Sequence, residues 1–600
     1  MESMKKRAEM DARYQWKLED IYASDEIWEQ DYAAAKQQVA AVAACQGKLD
    51  SAEGLLAGAR ALEAAERTVT RLFTYARMRR DEDNRKAEYQ GLVNRAQSLS
   101  VRLSTATSFF KPELLSLPGD YLKQVCARED FAVYRVPLGE IDRNRPHTLS
   151  AEMEKLVAMT GEMGAAPDNI YSMLTDADMK FPTITGEDGK PVELTHANYI
   201  SLMMSRDRAV REAAFDALYS TYKSFSSTIP AIYDASVKTD VFYARAARFG
   251  SALEAGLFPD DVPVSVYENL IQTVHGHLDG LNRFLRRNGE LIGVGGDMRM
   301  IDVYVPAVSG FDIALPYEQA YDLVVESLAP LGSDYQETLR RARRERWIDP
   351  YPNTGKSSGA YSWGTYDSHP YVLLNYQENL DNLLTVAHEL GHAMHSYYSD
   401  GAQPYPTSGY SLFVAEVAST TNEILTLFSL MEKYPQREAQ AFLTYQLLDG
   451  FRGTVFRQTQ FAEFEKISHE MAEKGEPLTV ESLNRAYAEL NARYYSSIGQ
   501  DELIAYEWMR IPHFYRAFYV YKYATGYSAA MALASAIRRE GAPAVERYRK
   551  FLTLGGSLPP IEALRVAGVD MEKPESVEVS LAEFERLVNR YLELTAPQGT

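Results

Sequence analysis

The sequence predicts a mostly α-helical protein with a few short strands, and three observations carry that expectation. Ala- and Glu-rich segments such as Ala33–Ala44 and Glu53–Val69 combine helix-forming composition with apolar residues at helical spacing. Strand-like runs are few and short. At 600 residues the chain is long for one simple domain, so two or more lobes are expected.

Bulk properties narrow the function classes. Hydrophobic residues make up 46% and charged residues 24%, ordinary values for a globular protein with a large core. The net charge of −20, from 83 acidic against 63 basic residues, argues against general nucleic-acid binding. It also fits weak steering of neutral or basic peptides, although solubility is the simpler reading. Cys45 and Cys126 lack metal-ligand spacing and read as free thiols of a reducing compartment. No apolar run follows the basic residues near Met1, and no stretch of ~18 apolar residues occurs. The expected location is the cytoplasm, with no membrane or nucleic-acid partner.

Taken in order, Trp16, Leu18, Ile21 and Tyr22 open the fold, and residues 12–110 read as long helices. The charge run Asp81–Lys86 reads as a solvated helix end or turn. Pro112, Pro118 and Gly119 break the pattern, and 120–200 mixes short helices with strand-like pieces. Residues 179–194 read as a hairpin around Gly186-Glu-Asp-Gly189. Helices resume near 204. Asp260, Asp261 and Pro263 mark a turn, with Ser265 as the N-cap of the next helix. His275 and His277, two apart, would face away from each other on a helix and read as non-ligands. Gly293–Gly296 and Asn353–Ser357 miss the glycines that phosphate-binding loops require, and read as turns.

Gly355, Gly359 and Gly364 form a loop beside Tyr361, Trp363 and Tyr366. His369–Tyr376 then reads as a strand. It is either an exposed edge that could hold an extended peptide through backbone hydrogen bonds, or an internal strand.

The next stretch carries chemistry. His388-Glu389-Leu-Gly-His392 is a His-Glu-x-x-His pattern. On a helix its histidines share one face, so both can reach one metal ion, and Glu389 can reach a water beside it. The apolar residues Leu383, Leu384, Val386 and Ala387 make this a core helix, where such groups are costly without a partner. A catalytic zinc takes about three protein ligands and keeps a position open. His395 lies about 10 Å along the axis from His388, too far for one ion. The longer pattern with a third histidine fails, because His395 occupies its glycine position and Tyr398 its last histidine position. A second helix must return. After a loop at Gly401–Gly409, the segment from Ser411 to Leu425 puts Glu416, Thr420 and Glu423 on one helical face. Glu416 is the expected third ligand, and Glu423 the expected acceptor for a ligand imidazole.

His388-Glu-Leu-Gly-His392-Ala-Met-His-Ser followed by Phe413-Val-Ala-Glu416-Val-Ala-Ser-Thr resembles the oligoendopeptidase F branch of the thimet-oligopeptidase (M3) family of zinc metallopeptidases. The opening Trp16-Lys-Leu18-Glu-Asp-Ile21-Tyr22 is similar to the usual start of such chains. The resemblance implies one zinc ion on His388, His392 and Glu416, with Glu389 as general base. It also implies two helical lobes flanking a deep channel that admits oligopeptides and excludes folded proteins. A small module belongs near 115–200, between an N-terminal helical region at 1–114 and a catalytic domain at 201–600.

Residues 430–500 read as helices. Beyond them, Tyr506–Tyr527 holds six tyrosines beside His513, with Pro512 suited to a first helical turn. An oxyanion formed on a peptide carbonyl needs hydrogen-bond donors, which phenol and imidazole can supply. The family uses a histidine and tyrosines in this region at a different spacing, so His513 and Tyr515 are the expected donors, with Tyr519 a further candidate. The expected activity is hydrolysis inside short peptides. Two other readings stay open: a helical zinc carboxypeptidase that trims peptide ends, and a non-catalytic peptide-binding protein, for which the base Glu389 would be superfluous.

Overall fold

The computed structural model describes residues 4–597, of which helix accounts for 72% and strand for 3%. The fold is mostly α, as its composition requires. Five short strands occur among the described residues: β1 (Thr183–Thr185), β2 (Pro191–Glu193), β3 (Ile348–Asp349), β4 (Tyr361–Trp363) and β5 (Tyr371–Leu373). β1 and β2 pair antiparallel as the expected hairpin, with Ile184 opposite Val192. No helix among the described residues is long and apolar enough to cross a membrane.

The chain forms two compact units, each built from three separate segments. The first comprises Met1–Thr148, Asp312–Ser429 and Leu533–Val569. Its N-terminal part contains three long helices, Asp25–Ala43, Ala52–Glu82 and Ala87–Thr107, with the middle one packed against both others. Trp28, Leu72, Tyr75 and Leu99 form their core together with Tyr371 and Leu373 of β5. Burying each such side chain stabilises the fold by about 1.5–3 kcal/mol. Trp16, Leu18, Ile21 and Tyr22 are all buried, and the Trp16 indole N–H donates to the Val372 carbonyl at 2.8 Å.

Two local readings change, and one left open is decided. The charge run at 81–86 is the end of the helix Ala52–Glu82 and the turn after it, and its first half is not solvated: Asp81, Glu82 and Asp83 are 2%, 7% and 6% exposed. Asp83 pairs locally with Arg85, whereas Glu82 and Asp81 also have partners far away in sequence. Arg7 donates to Glu82 at 2.7 Å and also pairs with Asp349, while the Tyr361 hydroxyl donates to Asp81 at 2.9 Å. β5 is an internal strand, parallel to β3 on one side and antiparallel to β4 on the other. Its backbone is already paired, so it offers no edge to a peptide. Finally, Ser265 lies inside the helix Val264–Gly276, which starts after Pro263, because the left-handed Asp261 (φ 52°) ends the preceding turn early.

The second unit comprises Leu149–Phe311, Leu430–Ala532 and Asp570–Thr600. Its main helices include Arg208–Ser224, Thr228–Ala246, Arg457–Glu473 and Val480–Tyr494. A buried carboxylate, Glu507, accepts from Arg457 at 2.7 Å, from the Tyr487 hydroxyl at 2.6 Å and from the Tyr219 hydroxyl at 3.1 Å. His275 bonds Glu463, and His277 bonds Glu578 and Glu585, so both histidines are engaged in pairs outside any metal-binding cluster among the described residues.

Candidate metal centre

Two helices of the first unit build the site. The first, Leu380–Ala402, begins at Asn379, whose side chain accepts from the Asn382 N–H at 2.8 Å. Leu383, Val386, Ala387, Leu390 and Met394 bury its inner face. The second, Leu412–Lys433, buries Phe413, Val414, Val417 and Ala418. They cross at Gly391. A Cβ there would lie 2.5 Å from the Ser419 Cα and 2.7 Å from the Ala418 carbonyl oxygen, so any other residue would push the helices apart. Asn422 ties the crossing by donating to the Ala387 carbonyl at 3.3 Å, and accepts from the Tyr335 hydroxyl at 3.1 Å.

This close crossing brings His388, His392 and Glu416 together. Their ligand atoms all lie within 4.8 Å of one another. The His388 and His392 Nε2 atoms are 3.2 Å apart, and each is 3.3 Å from Glu416 Oε2. An ion with tetrahedral bonds of ~2.0–2.1 Å to nitrogen and oxygen has ligand–ligand edges of about 3.3–3.4 Å. The triangle therefore has the size of one face of such a tetrahedron. Charge points the same way: Glu389, Glu416 and Glu423 gather three carboxylates around two imidazoles. The donor set fits a divalent metal ion.

Neighbours hold the donors in place. The His388 Nδ1–H donates to Glu423 Oε1 at 2.5 Å, which leaves Nε2 facing the triangle. The Ser419 hydroxyl donates to Glu416 Oε2 at 3.0 Å. Burial alone would pull the His388 imidazole down, but hydrogen bonds to Glu416 and Glu423 hold it at about 10. Glu416 is correspondingly driven far below the usual carboxylate range: burial opposes this, and the two histidines outweigh it. Glu389 is 6% exposed, and burial raises its carboxyl above the ordinary value against the pull of His388 and His392. A raised carboxyl suits proton transfer near neutral pH. His395 stands apart from the cluster. It is stacked on Tyr410 at 3.7 Å, and burial lowers its pKa to about 3, so it is neutral.

His513 and Tyr515 belong to the second unit, on the short 3₁₀ helix Pro512–Tyr515 that Pro512 opens. They face different neighbours. The His513 ring lies 6.1 Å from the rings of both Tyr519 and Tyr523. Burial, helped by Arg516, keeps this imidazole below its ordinary value and so neutral at pH 7. Tyr515 stacks on Tyr171 at 4.2 Å, and burial pushes its phenol well up. Sequence reasoning missed Gly391, Ser419 and Asn422. Gly391 had a signal, since a glycine inside a helix is destabilising and implies a packing reason. Ser419 and Asn422 had none, because their roles depend on where the second helix lands.

Comparison with known proteins accords with this geometry. The sequence profile of peptidase family M3 matches residues 201–583, and that of oligopeptidase F matches residues 113–181. Oligopeptidase PepF of Bacillus subtilis is 42% identical over 591 residues, covering 98% of this chain and 88% of that protein. A crystal structure from Chlamydophila abortus superposes with a TM-score of 0.94 at 33% identity, covering 99% of this chain and 100% of that one. The structure of oligoendopeptidase-F from Enterococcus faecium matches with a TM-score of 0.73 at 36% identity, over 95% of this chain and 99% of that one. With nearly its whole length matched and a histidine–histidine–glutamate centre of the size a metal ion needs, the chain belongs to peptidase family M3, in its oligoendopeptidase F branch.

Proposed function

We propose that this metallopeptidase is a zinc endopeptidase that hydrolyses bonds inside short oligopeptides. The observation that carries the reading is the 3.2–3.3 Å triangle of His388, His392 and Glu416, with Glu389 one residue along the same helix. These three side chains would hold one zinc ion. When bound, zinc supplies Lewis-acid polarisation of a carbonyl and makes a water more acidic, towards a pKa of ~7. Glu389 takes the proton of the attacking water and delivers it to the leaving amine. Glu423 keeps the His388 ring in the tautomer that presents Nε2, and Ser419 orients Glu416. His513 and Tyr515, with Tyr519 as a further candidate, donate to the oxyanion that develops on the scissile carbonyl. The oligopeptide substrate class is supported by the names of the Bacillus and Enterococcus relatives. Two free cysteines fit a reducing cytoplasm.

The test is mass spectrometry of peptides blocked at both termini, incubated with and without a chelator. Internal cleavage abolished by chelation and restored by zinc is expected. Products that appear only from peptides with a free end would make the protein an exopeptidase instead.

A further inference from the structure

Residues far apart in sequence converge on one unusual backbone position in the second unit. Phe518 has φ 57°, in the left-handed region, where a bulky side chain is an outlier. Such a conformation persists when its surroundings over-determine it, and it concentrates at functional sites. Here the surroundings are specific. The Phe518 N–H donates to Glu465 Oε1 at 3.0 Å. The Phe518 ring lies 4.5 Å from the His469 ring and 5.9 Å from that of Tyr267. Gly256 completes the socket: a Cβ there would lie 2.7 Å from the Phe518 ring.

Glu465 is the costly member of this set. It is 0% exposed, and its Oε2 has no hydrogen-bond partner among the described residues. Burial, reinforced by the negative charge of Asp240 and only partly offset by the Phe518 N–H, pushes the carboxyl well above the carboxylate range. An apolar side chain would avoid that desolvation, and an unsatisfied buried oxygen calls for an explanation. The bond made by the other oxygen supplies one. Phe518 lies in the connection between the Pro512–Tyr515 helix and the helix that begins at Tyr521. His513 lies before this twist in the chain, and Tyr519 and Tyr523 lie after it.

We infer that Glu465 is a positioning residue of the peptidase, latching the Phe518 backbone over Gly256 and so fixing His513 against Tyr519 and Tyr523. The inference rests on the reading that this turn supplies the oxyanion donors. Glu465 acts through the turn and touches no substrate.

Glutamine keeps an acceptor at the same place, whereas leucine removes it. Glu465→Leu is expected to lower kcat on the order of 10–100-fold, the loss typical of a misplaced catalytic group, with KM nearly unchanged. Glu465→Gln should restore most of the turnover. Gly256→Ala, which presses on the Phe518 ring, should lower kcat in the same way. Metal content should stay at the wild-type level in all three. Hydrogen exchange at the Phe518 amide should speed up in Glu465→Leu and not in Glu465→Gln. His513→Ala serves as the reference. If it loses kcat while Glu465→Leu keeps it, the latch is wrong and the donor reading stands. If His513→Ala keeps full kcat, the donor reading fails and the positioning role fails with it. Should Glu465→Leu not fold, Gly256→Ala decides: a kcat loss at wild-type metal content supports the latch, and unchanged kcat overturns it.

Discussion

At the scale of residues, Glu416 and Glu423 lie two helical turns apart and meet the same histidine on different atoms. Glu416 faces His388 Nε2 at 3.3 Å, and Glu423 accepts from Nδ1 at 2.5 Å. Their losses should therefore differ in size. Removing a group that only supports a ligand typically costs ~10–100-fold in metal affinity, and removing a ligand costs more. Glu423→Ala should fall within that range by metal titration, and Glu416→Ala should exceed it. The reverse order would mean that the roles are exchanged. Serine 419 adds a smaller effect in the same direction, because Ser419→Ala leaves Glu416 Oε2 without its 3.0 Å donor.

At the scale of elements, the site depends on two helices touching at Gly391. Gly391→Ala places a methyl group 2.5 Å from backbone on the partner helix, which has no flexible end to yield. Overpacking usually costs about 1–3 kcal/mol, and a clash with backbone belongs at the upper end. Both Glu416 and Glu423 ride on the displaced helix, so calorimetry should show a lower Tm and metal titration a weaker site. A variant with wild-type affinity would show that the crossing does not set the triangle. The elements also show what the sequence could reveal. The convergence of His388, His392 and Glu416 was legible because helical periodicity is local and puts each residue on a known face. The burial of the helix end at Asp81–Asp83 was not, since Arg7 against Glu82 and Tyr361 against Asp81 come from distant segments. The strand of Tyr371–Leu373 was legible as a strand, but its place between β3 and β4 depends on long-range pairing that composition does not encode. In the Tyr506–Tyr527 stretch the aromatic density was visible. Which rings meet His513 depends on the backbone twist at Phe518, which the sequence does not announce with a glycine.

At the scale of the whole molecule, stability and activity respond to protons in different ways. Burial tends to raise the Glu507 carboxyl, but Arg457 and Arg510 outweigh it and hold it at about 2, below the ordinary 4.5. Because the folded value is depressed, this group stabilises the fold fully above the unfolded value, and the contribution is lost as pH falls from 4.5 towards 2. Glu507→Gln should lower Tm at pH 7, since it leaves buried arginines without their counter-charge, at a cost of about 3–5 kcal/mol. It should also flatten the fall of Tm with acid across that window. An unchanged acid slope would mean that other carboxylates govern it. In the proposed mechanism activity depends on a separate group, the Glu389 carboxyl, which burial raises above its ordinary value. The most direct measurement of the central claim is peptide turnover and bound zinc in Glu389→Gln. The substitution keeps His388, His392 and Glu416 and removes the base. Zinc bound at the wild-type level with turnover reduced to a few per cent or less is the predicted result; turnover near wild type with zinc in place would show that Glu389 does not carry the proton.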